Sequence, residues 1–246
     1  MTQRSQKITI AAALILAIAV LLLSVAYNRG ALTFDGWKPR FSLSAFKNPK
    51  PSLDRPITFP ADFTQEAQTL FNQQLAKTKA AIEADPSDVS AWFDLAIDYR
   101  MVGDYEGAVA IWKYISAKYP TEGISLHNLG EYYFHTAKDY PTAENYYRQS
   151  IKVAPHLEQN YLDLADMYTY VYKQDTDATV NILKEGIANL VAPENVNLEI
   201  QLAAYYASKG DTADARTYYQ QALQTARALK NTTLITQLEK SLSRLK

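Results

Sequence analysis

The chain has no cysteine, which excludes disulfides, thiolate metal sites and a cysteine nucleophile. Histidine is scarce, with only His127, His135 and His156. No excess of either charge exists: 25 basic residues face 26 acidic ones, for a net charge of −1. A nucleic-acid binder ordinarily carries a basic face, so that class is set aside. There is no glycine-rich phosphate loop, serine elbow or His-Glu-x-x-His run. Paired carboxylates for hydrolysis do not stand out. These absences argue against an enzyme and against a resident cofactor.

What is present is 48% hydrophobic residues, eighteen tyrosines and one long uncharged run. That run, Ile8–Ala26, has 19 residues, with Thr9 and Ser24 as its polar members. As a helix it is roughly 28 Å long, close to the hydrocarbon thickness of a bilayer. It reads as a transmembrane signal anchor behind a basic N-terminus, residues 1–7 with Arg4 and Lys7. Ser24-Val25-Ala26 has the small-x-small form of a cleavage site, so a signal peptide cut after Ala26 is the alternative. The run exceeds the usual apolar core of a signal peptide. Arg29, Lys38 and Arg40 follow the span, so the positive-inside count is nearly balanced. The orientation adopted is N-terminus cytoplasmic, with the C-terminal domain extracytoplasmic, because a short basic start before a first apolar helix is how export signals begin.

Residues 27–61 hold five of the ten prolines. This composition predicts a semi-rigid extended linker, able to lift a domain up to roughly 100 Å off the bilayer. Tyr27, Phe34, Trp37, Phe41 and Phe46 read as an aromatic belt at the headgroups, with a partner motif as the alternative.

From Asp62 the pattern turns helical. Asp62-x-x-Gln65 has the form of a capping box, and an apolar stripe runs from Phe63 to Ile82 until Asp85-Pro86 stops it. Val89–Pro120 then reads as two amphipathic helices joined by Gly103-Asp104. Counting Val89 as position one, Trp92 is at 4, Leu95-Ala96 at 7–8, Tyr99 at 11, Ala108 at 20, Trp112 at 24 and Pro120 at 32. Large and small residues alternate, so the two helices can approach closely. Such a unit cannot bury its apolar face alone, so it must recur.

It does recur. From Gly123 come Leu126, Leu129-Gly130, Tyr133, Ala143, Tyr147 and Pro155, with one extra residue placed in the turn around Lys138–Tyr140. From Glu158 come Tyr161, Leu164-Ala165, Tyr168 and Leu183, with a longer turn at Tyr172–Asp177. The fourth unit puts Glu199 at position 4, then recovers with Leu202-Ala203, Tyr206, Ala215, Tyr219 and Ala222. Start-to-start spacings are 34, 35 and 38 residues. These residues and spacings resemble the tetratricopeptide repeat. The resemblance implies an all-α fold, a tetratricopeptide-repeat α-solenoid of paired antiparallel helices. Its repeats are expected at about 89–122, 123–157, 158–195 and 196–228, with capping helices at 62–84 and 231–245 and one transmembrane helix ahead. The Tyr-Tyr pairs read as packing positions rather than a cofactor site.

The resemblance further implies a concave groove lined by the first helices, at positions 2, 5, 9, 12 and 13. The candidate partner-binding residues there are Phe93, Ile97, Arg100, Met101, Ile124, His127, Glu131, Phe134, His135, Leu162, Asp166 and Tyr170. The apolar members mark a site for a protein or peptide partner. The bland alternative is that the helix at 62–84 fills part of the groove. The basic clamp that some members use for a C-terminal carboxylate is absent, since Phe93, Ile97, Gln159 and Asp163 stand at its positions. His127, Glu131 and His135 share one helical face at i, i+4 and i+8. A neighbouring pair could ligate zinc, with Asp166 joining Glu131, but the two histidines lie about 12 Å apart, too far for one ion. A wet polar stripe is the simpler reading, and no metal is assigned. The sequence thus describes a membrane-anchored interaction scaffold, with a soluble exported scaffold or a His127/Glu131/His135 metal protein as alternatives.

Overall fold

The computed structural model describes residues 48–174 and 176–245. The apolar run at 8–26 and the aromatic residues of 27–46 lie outside the described residues, and so does that part of the expected linker. Among the described residues no helix is long and apolar enough to cross a membrane.

Ten α-helices follow one another among the described residues: α1 (Gln65–Ala84), α2 (Val89–Met101), α3 (Tyr105–Lys118), α4 (Ile124–Glu131), α5 (Tyr140–Val153), α6 (Glu158–Tyr170), α7 (Ala178–Asn189), α8 (Val196–Ser208), α9 (Thr212–Ala228) and α10 (Thr232–Arg244). Short polar side chains start most of them by accepting a bond from an otherwise orphaned backbone N–H. Asp88 accepts from Ser90 N, Asp104 from Gly107 N, Asp139 from Thr142 N, Asp211 from Asp214 N and Asn231 from Leu234 N. Helix α1 is capped by Thr64, which accepts from Ala67 N at 3.1 Å. The expected Asp62–Gln65 capping box is therefore replaced by a cap two residues later.

Four of the turns share one construction. The residue before the capping Asp or Asn has a positive φ: Gly103 at 76°, Lys138 at 56°, Gly210 at 81° and Lys230 at 54°. Glycine enters this left-handed region without cost, whereas lysine is held there by the helix on each side.

The extra residue of the second repeat is not in its turn. It is absorbed by a π-helical stretch, Tyr132–Thr136, that continues α4. Ala137 N donates to Tyr132 O at 2.9 Å, five residues back. One added residue thus widens the helix by a single turn instead of lengthening the connection, a common form of insertion into helices.

Each helix packs on the next in sequence, and α6 also touches α8. This nearest-neighbour pattern is that of a solenoid. The repeat-one core joins Trp92, Leu95, Tyr99, Ile111 and Trp112 to Phe71 and Ile82 of α1. Tyr147, Tyr161, Leu164, Tyr168 and Leu183 form a second core, and Ala203, Tyr219, Ala222 and Leu238 a third. Close approach needs small residues at the crossings. A Cβ on Gly130 would lie 2.6 Å from the buried Tyr147 ring. Tyr147 and Tyr219 are buried as expected, but Tyr133 and Tyr206 are only half-buried. They stack on Tyr146 and Tyr218, with ring centroids 5.4 and 5.9 Å apart. Glu199 occupies its core position although it is charged, and burial raises its carboxyl pKa.

The second half of the expected linker is not a free spacer. From Pro51 to Phe59 residues alternate between half-buried and exposed, with Pro51, Leu53, Arg55, Ile57 and Phe59 turned inward. Leu53, Ile57 and Phe59 pack on the first core, and Phe59 meets Phe71 edge-on at 5.5 Å. Arg55 Nη2 donates to Asp104 Oδ1 at 2.7 Å and its Nε donates to Oδ2. The guanidinium holds the Asp104 carboxyl below its ordinary range, against the opposing effect of burial. Residues 51–59 therefore form a strap over the first repeat.

Candidate functional site

The first helices of the repeats carry every residue proposed for the groove. Nine large hydrophobic residues are exposed among the described residues, and four stand at groove positions: Ile97, Met101, Ile124 and Tyr170. They are exposed by 52, 57, 49 and 69% respectively, so α1 does not fill the groove at these positions. The strap leaves them open too, since it lies beside Tyr99, Val102–Asp104, Gly107 and Ala110 instead, with Lys50 just before it over the Trp92 ring. Phe93, Phe134 and Leu162 are half-buried and contribute to the cores, so they offer less apolar area than their positions suggest. Arg100 approaches Glu131 at 3.8 Å and places one cation beside the apolar residues.

Between α4 and α6 the groove becomes polar. His127 and Glu131 are one turn apart on α4, and Asp163 of α6 faces them. Donor atoms of His127, Glu131 and Asp163 all lie within 4.8 Å of one another. His135 is outside this group and exposed. The cause is local: the π-helical stretch begins directly after Glu131, so residue 135 no longer sits one regular turn above it. Asp166 is outside as well. It accepts a 2.6 Å bond from Gln201 Nε2 on α8, and burial raises its carboxyl pKa. Asp163 thus takes the place expected for His135 and Asp166. Its position, 6 in the third repeat, is one step along the groove from position 5 of the second, where His127 stands. That neighbouring register was the signal available in the sequence.

A buried chain of hydrogen bonds supports the cluster. Ser150 Oγ donates to Gly123 O at 2.7 Å and accepts from Asn160 Nδ2 at 2.9 Å. The Asn160 amide is thereby oriented, and its Oδ1 lies 3.0 Å from His127 Nδ1. An amide oxygen only accepts, so His127 Nδ1 carries the proton and donates. In the neutral ring Nε2 then holds the lone pair, directed toward Asp163 Oδ2 at 3.8 Å. Gln159 Nε2 donates to Asp163 Oδ1 at 2.7 Å, while Oδ2 is buried with no hydrogen-bond partner. Burial pushes the Asp163 carboxyl pKa up. The Tyr147 hydroxyl, on a fully buried ring, faces the Asp163 carboxyl without a hydrogen bond of normal geometry. Its pKa is raised by burial and by the nearby carboxylates of Asp163 and Glu131.

The sequence model of the tetratricopeptide repeat matches residues 200–229, from α8 through α9. The comparison with curated proteins returns no match. Among solved structures, MamA superposes with a TM-score of 0.51 at 18% identity, covering 71% of this chain and 99% of that one. Pseudomonas aeruginosa PilF superposes with a TM-score of 0.50 at 15% identity, covering 72% and 85%. A thermophilic TPR protein of Thermus thermophilus reaches 0.49 at 21% identity, covering 72% and 93%. Identities this low speak to the fold alone. Residues 65–244 of this chain form an all-α array of ten helices with a tetratricopeptide-like fold, and residues 200–229 match the repeat itself.

Proposed function

We propose that the chain is a single-pass membrane protein whose repeat array binds a protein partner along its first helices, in the assembly of a membrane-associated complex. Tetratricopeptide arrays are typically non-catalytic scaffolds for protein partners. The observation that carries the reading is the exposure of Ile97, Met101, Ile124 and Tyr170 at groove positions of the first helices. Large apolar residues exposed on the groove-facing helices are seldom left without a use. Its chemistry suits an amphipathic helix or an extended segment with aliphatic anchors, flanked by a carboxylate that can meet Arg100.

The anchor in this reading is residues 8–26, with the N-terminus cytoplasmic and the repeats extracytoplasmic. A single cysteine at Lys246 tests the topology, because the natural chain has none to interfere. A membrane-impermeant maleimide labels it in intact cells if the repeats are outside. Protection until lysis reverses the orientation. The small-x-small end of the apolar run, Ser24-Val25-Ala26, favours one second reading, an exported scaffold cleaved after Ala26. The mass of the purified chain separates the two: the anchored form retains residues 1–26.

A further inference from the structure

We propose that His127, Glu131 and Asp163 form a divalent-cation site in the groove, with zinc the ion best matched to its ligands. One imidazole and two carboxylates suit zinc and its first-row neighbours. The three donor atoms already converge within 4.8 Å, although they come from two helices of different repeats. Donors bound at about 2.0–2.2 Å sit closer to one another than this, so an ion draws the three side chains inward.

Three features distinguish this cluster from a solvated polar stripe. The first is histidine orientation. The Ser150–Asn160 chain fixes the His127 Nδ1 proton and leaves Nε2 as the free donor. Metal-binding histidines are ordinarily held this way by a second acceptor. The second is burial. Asp163 Oδ2 takes no hydrogen bond of normal geometry, and its polar neighbour is the hydroxyl of the fully buried Tyr147 ring. A cation on Oδ2 completes the coordination of that oxygen. The third is charge. Two carboxylates meet at the cluster, with Arg100 3.8 Å from Glu131 and the imidazole of His135 close enough to act on Asp163. A His127–Asp163 ion pair alone would balance one of them, across 3.8 Å.

Glu131 is the least covered of the three, with its side chain 36% exposed. The open side of the site therefore faces the groove. Three protein ligands leave a coordination position there for water or for a carboxylate of whatever occupies the groove. The site stands on these residues whether or not a partner binds.

The test is calorimetric titration of the chelator-stripped full-length chain with zinc chloride. The expected result is saturable binding of one ion per chain. Glu131→Gln and Asp163→Asn keep side-chain size and are each expected to weaken it more than tenfold. Asn160→Leu removes no ligand, yet is expected to weaken binding about 10–100-fold by releasing the imidazole it holds at Nδ1. His135→Ala is expected to leave binding unchanged. Circular dichroism of each variant confirms retained helix, and Glu131→Gln, at the exposed edge, decides the matter if Asp163→Asn does not fold. Absence of saturable binding overturns the proposal. So does binding that survives Glu131→Gln and Asp163→Asn, or that is lost in His135→Ala.

Discussion

The first repeat and the junction between the second and third both close on apolar cores, but the junction also carries a continuous buried chain of side-chain hydrogen bonds through it. The first repeat closes on an apolar core built around Trp92 and Trp112, and the strap at 51–59 covers its flank. The second-to-third junction adds to its apolar core a buried polar chain, Gly123–Ser150–Asn160–His127. Aromatic burial is non-directional and tolerates small shifts, whereas a hydrogen-bonded chain works only when every member is placed. The first arrangement supplies stability. The second supplies a fixed orientation, which is what a ligand-holding imidazole requires.

Truncation should expose this contrast most clearly. Trp92→Ala removes a fully buried ring from the first core and is expected to cost about 3–5 kcal/mol in urea unfolding of the intact chain. Asn160→Ala removes less volume but strands buried groups on Ser150 and His127. It is expected to cost about 1–3 kcal/mol by the same measurement. If Asn160→Ala proves the costlier of the two, the polar chain is a stabilising core in its own right and the comparison fails.

The strap gives the smallest effect. Arg55→Ala breaks its ion pair with Asp104, whose partners are 37% and 18% exposed. Solvent screening limits the loss to about 1 kcal/mol or less near neutral pH. The sign with pH follows from Asp104, whose carboxyl pKa is lowered in the folded chain. Its contribution is present above the ordinary carboxylate range and is lost as pH falls through the lowered value. The gap between natural chain and variant should therefore narrow below about pH 4. Protease cutting between residues 51 and 59 should also accelerate in the variant.

The helix pairs and their packing positions were legible because each repeat states them again. Trp92, Leu126 and Tyr161 all fall at position 4, and all three are buried. Three features were less legible. Proline content predicts a semi-rigid extended linker over 27–61, but in its described part the inward alternation of Leu53, Ile57 and Phe59 outweighs stiffness once an apolar flank is available. The extra residue of the second repeat looked like a longer turn. Spacing alone does not separate an inserted turn residue from a π-helical stretch, because both leave Asp139 to cap the next helix. That shift also removed His135 from the face it shared with Glu131. The next repeat contributes Asp163 to the cluster and not the expected Asp166, whose carboxylate is held by Gln201 on α8.

The account rests on the exposed Ile97 and Ile124 meeting a partner. Photo-crosslinking in living cells tests this directly, with a photoreactive residue at Ile97, at Ile124 or at Gln220 on the exposed side of α9. The account predicts an adduct of one discrete mass at Ile97 and Ile124 and none at Gln220. Equal labelling at all three positions, or no adduct at the two groove positions, would contradict it.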